Sequence, residues 1–271
     1  MPELPEVETI VRGLHGDLVG RLFIGATVLW GREIHGLSPS EFADRLVGQR
    51  VVGLRRRGKY IVSDLSRDVL LIHLKMSGRL YVAAAGQNTE HDRWVRVAFH
   101  LDNGRELRFS DARKFGRVYL VADEAEVTRN LGPEPLADTF TLEAFRALLA
   151  GRRGMVKSLL LHQGFIAGVG NIYADEALWH ARIDPRRNVN TLEATEIERL
   201  YHAIRQVLET GIQLGGTTVS WYRQPDGTPG GYQSRFRVYD RAGEPCPNCG
   251  AAIRKIWLGQ RGTHFCESCQ R

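Results

Sequence analysis

Long apolar runs are missing: no stretch of the 271-residue chain approaches the ~20 residues a helix needs to cross a bilayer. A secretion signal is missing as well, because the first residues are acidic and carry no apolar core. The expectation is a cytoplasmic protein with no membrane partner. Cysteine is scarce, and all four follow residue 245, so no disulfide framework staples the preceding chain. Internal repeats and low-complexity tracts are absent apart from two Cys-x-x-Cys pairs. What remains is ordinary globular material, with 43% hydrophobic and 25% charged residues, enough for two domains with full cores. The net charge of +6 permits a nucleic-acid partner without requiring one.

The cysteines are the sharpest local signal. Cys246-Pro-Asn-Cys249 and Cys266-Glu-Ser-Cys269, separated by residues 250–265, have the spacing of a four-thiolate zinc site. Disulfides would need an oxidising compartment, and a redox motif needs one pair rather than two. One structural Zn2+ is expected, held by Cys246, Cys249, Cys266 and Cys269, with no organic cofactor. Four thiolates close the coordination sphere, so the metal folds a hairpin and does no chemistry.

The opening Met1-Pro2-Glu3-Leu4-Pro5-Glu6 admits two readings. One is a helix start, since first-turn prolines lose no needed N–H and carboxylates there suit the helix dipole. The other is a nucleophile: trimming Met1 before a small residue leaves a secondary amine. An α-amino group of pKa near ~8 is roughly 10% neutral at pH 7, against about 0.04% for a lysine. Its iminium cannot be neutralised by deprotonation, which makes it an electron sink for elimination.

A first helix is expected over about Leu4–Val19, followed by short runs rich in Val, Ile, Leu and Tyr between residues 22 and 122, interrupted by a helix at Pro39–Val47 with Ser38 as cap. Many strands at close spacing give a sandwich up to about residue 125. Helices are then predicted at Thr141–Ala150, Met155–Gln163, Asn171–His180 and Leu192–Leu214, the last with Ile197, Leu200, Ile204, Val207, Leu208 and Ile212 on one buried face. The domains expected are 1–125, a linker at 126–135, 136–222, a loop at 223–237 and 238–271. That loop's composition suits a lid, disorder or a plain floppy connection. Two basic runs beside glycines, Arg55-Arg56-Arg57-Gly58-Lys59 and residues 254–261, are placed to address a polyanion.

Together these residues resemble the formamidopyrimidine-DNA glycosylase family, which excises oxidised purines. The resemblance spans nearly the whole chain: Pro-Glu-Leu-Pro-Glu-Val-Glu (2–8), Arg-Gly-Lys-Tyr (57–60), His-Leu-Lys-Met-Ser-Gly (73–78), Asp-Ala-Arg-Lys-Phe-Gly (111–116), Gly-Val-Gly-Asn-Ile-Tyr-Ala-Asp-Glu (168–176) and the zinc finger. It implies a multidomain α+β fold: an N-terminal two-sheet antiparallel β-sandwich with an N-terminal helix, a helical domain with a helix-two-turns-helix motif, and a terminal zinc-finger β-hairpin. It also implies a monomer that binds double-stranded DNA carrying an oxidised base or an abasic site. Base excision requires the damaged nucleotide to leave the stack. By resemblance Pro2 attacks C1′, Glu3 opens the sugar ring as an acid and Glu6 supports it, with capping as its alternative. Lys59 and Arg261 bind the phosphates that later depart. Met76, Arg113 and Phe115 form the wedge that fills the vacated stack. Asn171 reads either as a phosphate contact at a helix N-terminus or as a plain N-cap. Lys157 and Arg153, placed on the preceding helix, and His73 and His91 are further phosphate contacts.

Three positions depart from the family pattern: Ser110, Glu90 and Glu267. None removes a catalytic group, though Glu90 weakens the case for His91. The endonuclease VIII type, acting on oxidised pyrimidines, is the nearest rival; Leu4 and the Arg113–Phe115 pair favour the purine branch. A catalytically silent zinc-finger DNA-binding protein is the rival of another class.

Overall fold

The structure, a computed structural model, describes residues 1–87 and 92–271. Two compact units form, one from residues 1–129 with 215–230 and one from 130–214 with 231–271. Each is described by itself.

The first unit opens with α1 (Leu4–Leu18). Glu3 is its N-cap and Glu6 its third residue, each carboxylate meeting the other's backbone N–H in a capping box. Val7, Ile10, Val11, Leu14 and Leu18 recur at helical spacing and are buried. At ~1.5–3 kcal/mol per fully buried aliphatic side chain, that stripe contributes on the order of 10 kcal/mol. It packs on strands of both sheets that follow, so a charge at Leu14 would loosen the unit.

The strands and helices after α1 are β1 (Phe23–Val28), β2 (Ile34–His35), α2 (Pro39–Leu46), β3 (Val51–Arg57), β4 (Tyr60–Leu65), β5 (Val69–His73), β6 (Gly78–Ala84), β7 (Val95–Leu101), β8 (Arg105–Asp111), β9 (Arg117–Val121) and α3 (Ala125–Thr128). Ser38 caps α2 by accepting from the Glu41 N–H at 3.3 Å. One sheet runs β1-β7-β8-β6 and the other β2-β9-β5-β4-β3. Their ladders are antiparallel except the two-residue β2–β9 pair, which is parallel. Phe23, Phe42, Phe99 and Phe109 fill the core.

Besides residues 29–33 between β1 and β2, two chain crossings pass from sheet to sheet: residues 74–77 join β5 to β6, and 112–116 join β8 to β9. Because His73 pairs with Arg117 and Gly78 with Asp111, both crossings lie at the same end of the strands. The two-residue turn between β3 and β4, Gly58-Lys59, is at that end too, since Tyr60 also pairs with His73.

The second unit holds α4 (Leu142–Leu149), α5 (Val156–Leu161), α6 (Asn171–Ala181), α7 (Ala194–Gln213) and the hairpin β10 (Arg254–Leu258) with β11 (Arg261–Phe265). Leu200, Ile204, Val207 and Leu208 of α7 are buried as their spacing predicts, whereas Ile197 and Ile212, near its two ends, are half-buried. Glu176, fully buried in α6, accepts from the backbone N–H groups of Arg237, Val238 and Tyr239 at 2.9–3.1 Å. One carboxylate thereby fastens the segment that leads into the cysteine region.

Candidate active site and metal centre

Pro2 and Glu3 are buried at the head of α1, while Met1 is 43% exposed. Glu6 is buried behind them. Its Oε2 accepts from the Glu3 N–H at 2.7 Å, and its Oε1 accepts from the Thr217 N–H at 2.7 Å. The carboxylate therefore ties the catalytic-candidate end of α1 to the 215–222 segment, a bond between residues 211 apart in sequence. Gly216 has φ +81°, and a Cβ there would stand 2.9 Å from Glu6 Cγ, so only glycine permits the approach. Tyr222 closes the turn by donating to the Gly215 carbonyl at 3.0 Å. Burial, and then the Glu6 charge, push its phenol well above the ordinary range.

Lys59 is only 4% exposed. The basic run around it is largely committed within the unit: Arg55 pairs with Asp64 at 2.8 Å and with Glu124 at 2.5 Å, and Arg56 pairs with Glu8 at 3.1 Å. Those two guanidinium groups do not form the open polyanion surface expected of them. His73 is also buried, and its Nδ1 accepts from the Lys75 N–H at 3.0 Å. Burial, then Lys75 and Lys59, push its pKa down to about 3. The ring is neutral with its proton on Nε2, so it offers a hydrogen bond and no charge. His91 lies outside the described residues.

Met76, Arg113 and Phe115 come together on the two sheet crossings. Met76 and Phe115 are 38% and 46% exposed, two apolar side chains presented at the same end of the strands. The Arg113 guanidinium lies 4.9 Å from the Phe115 ring centroid. A buried acid to which the sequence assigns no role holds them: Asp111 Oδ1 accepts from Ser77 Oγ at 2.5 Å and the Arg113 N–H at 3.1 Å. Its Oδ2 accepts from the N–H groups of Phe115 and Gly116, both at 2.8 Å. Ser77 belongs to one crossing and Arg113 to the other, so one carboxylate locks both. At Gly116 a Cβ would overlap the Phe109 ring. Beside this hub Glu33 is fully buried, and neither of its carboxylate oxygens has a hydrogen-bond partner among the described residues. Burial, then the Asp111 charge, push its pKa up to about 8.

In the second unit Lys157 corrects the sequence reading. Its side chain is 1% exposed, its ammonium lies 2.6 Å from Asp175 Oδ1, and it donates to Thr263 Oγ1 at 2.7 Å. An ammonium so enclosed is an internal brace rather than a phosphate contact. Arg153 is exposed but precedes α5 instead of lying on it. Gly170, not Asn171, is the N-cap of α6. The Asn171 amide instead donates to the Gly262 carbonyl at 2.9 Å. Arg261 is exposed at the start of β11.

The four cysteine sulfurs lie within 4.8 Å of one another. Cys246 and Cys269 are 3.8 Å apart and Cys249 and Cys266 3.5 Å, far beyond a disulfide bond of ~2.05 Å. A tetrahedral ion with Zn–S of about 2.3 Å requires sulfurs about 3.8 Å apart. The thiolates thus fit one structural Zn2+. Gly250 donates to the Cys246 carbonyl at 2.9 Å and Gln270 to that of Cys266 at 3.0 Å, closing both knuckles.

Family models agree with this arrangement along the chain. The formamidopyrimidine-DNA glycosylase N-terminal domain matches residues 1–118, the formamidopyrimidine-DNA glycosylase H2TH domain residues 131–223, and the zinc finger found in FPG and IleRS residues 243–271. Formamidopyrimidine-DNA glycosylase of Symbiobacterium thermophilum is 47% identical over 274 residues, covering all of this chain and 89% of the relative. That of Protochlamydia amoebophila is 43% identical, with both chains fully covered. A mutant of the Lactococcus lactis FPG, solved with DNA containing Fapy-dG, superposes with a TM-score of 0.92 at 34% identity over both whole chains. Lactococcus lactis Fpg with DNA containing an abasic site gives 0.90 at 34% identity over 99% of each.

Proposed function

The chain belongs to the formamidopyrimidine-DNA glycosylase family, and from that membership we propose that it releases oxidised purines from duplex DNA and then cleaves the strand, acting as a monomer. The observation that carries the reading is the N-terminus: Pro2 and Glu3 buried at the head of α1, with Glu6 anchored to Thr217 behind them. The exposed Met1 is accessible to an aminopeptidase, and its removal frees the Pro2 nitrogen.

That nitrogen's lone pair bonds C1′ of the everted nucleotide, and the glycosidic electron pair leaves with the base, which takes up a proton to balance the one the Pro2 nitrogen sheds. Glu3 protonates the ring oxygen, the sugar opens, and the N–C1′ link becomes an iminium. The iminium draws electrons from C2′, which loses a proton as the 3′ phosphate departs; a second elimination releases the 5′ phosphate. Glu6 acts as a positioning residue, since both of its oxygens are occupied by backbone N–H groups. Lys59 and Arg261 are assigned to the departing phosphates, and Asn171 and Arg153 to neighbouring ones. His73 contributes at most its Nε2–H. Met76 and Phe115 fill the vacated stack while Arg113 bonds the orphaned base. The zinc holds the hairpin and takes part in no step.

Duplexes with one 8-oxoguanine opposite cytosine, or one thymine glycol, test the purine assignment. Efficient release of 8-oxoguanine and poor release of thymine glycol is expected, and the reverse ranking contradicts it. Glu3→Gln is expected to lose base release while retaining cleavage at a preformed abasic site. Base release at the native rate would remove the acid role from Glu3.

A further inference from the structure

Arg261 reaches the surface beside a two-residue hairpin turn. Leu258 pairs with Arg261 across a two-residue loop in which Gly259 and Gln260 have φ of +50° and +63°, a type I′ hairpin. Arg261 follows directly, its side chain exposed. The tip is held by this ladder and by what grips the residues behind it.

What grips them is buried and charged. The Lys157 ammonium, on α5, meets three oxygens: Asp175 Oδ1 at 2.6 Å, Thr263 Oγ1 at 2.7 Å and the Gly262 carbonyl at 3.3 Å. The contacts to Thr263 and Gly262 are hydrogen bonds, and the one to Asp175 is an ion pair. Asn171 sends a second donor to the Gly262 carbonyl at 2.9 Å. The Thr263 hydroxyl, accepting from Lys157, donates in turn to the Arg261 carbonyl at 3.1 Å. Asp175 completes the clamp from α6 by accepting the His264 N–H at 2.9 Å. Residues 262 to 264 are thus each reached by side chains of α5 and α6, and Arg261 is reached through Thr263.

Hydrophobic replacement of a buried ion pair is often neutral or stabilising, so packing alone gives no reason for a lysine here. The directed donors do. We propose that Lys157 is a positioning residue that sets Arg261 for its phosphate through the Thr263 hydroxyl, so that α5 and α6 dictate where the zinc hairpin presents its cation. The inference rests on the assignment of Arg261 to a DNA phosphate.

The test uses the full zinc-loaded protein and duplex DNA containing a stable abasic-site analogue, with Kd measured against salt. Arg261→Ala alone checks the underlying assignment. It is expected to weaken binding about tenfold or more, the worth of one charge-assisted contact, and to lower the salt slope by about 0.9. Lys157→Met conserves length and volume and is expected to reproduce most of that loss and slope change with zinc content unchanged. The double variant is expected to bind no more weakly than Arg261→Ala, because the two act on one contact. Thr263→Val, which breaks the relay and leaves the buried charges paired, is expected to move in the same direction and decides the matter if Lys157→Met does not fold. Fully additive losses, or native affinity and slope in Thr263→Val, would overturn the proposal. Native binding by Arg261→Ala would overturn the phosphate assignment first, and the positioning role with it.

Discussion

Asp111→Asn should be among the most damaging single-atom changes in the first unit. The side chain is fully buried and accepts four hydrogen bonds, from Ser77 Oγ and from the N–H groups of Arg113, Phe115 and Gly116. Asparagine keeps one oxygen and turns the other into a donor. In its best orientation the oxygen faces Phe115 and Gly116, and Ser77 reverses its hydroxyl to accept from the new amide. The Arg113 N–H then keeps only its 3.2 Å bond to Ser77 Oγ, so one bond to the side chain is lost and the rest become neutral. A bond to a charged group is worth ~1.5–3 kcal/mol against ~1 for a neutral one, which sums to about 3 kcal/mol after relief of the buried charge. A unit of this size should melt about 6–12 °C lower. Thermal unfolding followed by near-ultraviolet circular dichroism measures this. Because Phe115 and Arg113 lose their anchor, the variant should also show a raised KM on lesion DNA. Melting within about 1 °C of the native protein would refute the hub.

Glu33→Gln has a defined pH signature. Its pKa is raised from 4.5 to about 8, so the folded state binds the extra proton between those values and native stability declines as pH rises through that window. Glutamine removes the decline: the variant should melt above the native protein at pH 8, and the gap should close towards pH 4.5, as thermal scans at both ends would report. A gap that stays constant with pH would contradict the assignment. Cys249→Ser should lose the zinc and, since metal binding and folding are coupled here, DNA binding, while α1 and the two sheets of the first unit remain folded. Normal cleavage by a zinc-free variant would contradict a purely structural role for the site.

Much of this molecule is legible in the sequence because its elements follow local rules. The 3.6-residue stripe of α7, the runs of Val, Ile, Leu and Tyr in the strands and the Ser38 cap are properties of neighbouring residues. The cysteine spacing suffices for the metal because four thiolates in two knuckles have few other uses. What stays hidden depends on partners far along the chain. Lys157 reads as a surface cation until Asp175 and Thr263 enclose it. Arg55 and Arg56 look like a basic patch until Asp64, Glu124 and Glu8 pair with them. Glu6 could be a helix cap or a support for the chemistry, and only its bond to Thr217 shows that it joins two distant segments. Asp111 lies inside a recognisable motif, yet its sequence neighbours Arg113 and Phe115 carry the visible chemistry, and its own role needs the fold that brings Ser77 to it. Composition gives no warning of Glu33, whose pKa follows from burial first.

The central claim is that the Pro2 nitrogen forms the covalent link to DNA. Its most direct test is borohydride reduction of the reaction on duplex DNA carrying one 8-oxoguanine, followed by proteolysis and mass spectrometry of the adduct. The account predicts deoxyribose on Pro2 in protein lacking Met1, and no adduct in a preparation that wholly retains Met1, where the nitrogen is an amide. Trapping on any lysine, or undiminished trapping by the Met1-retaining protein, would contradict it.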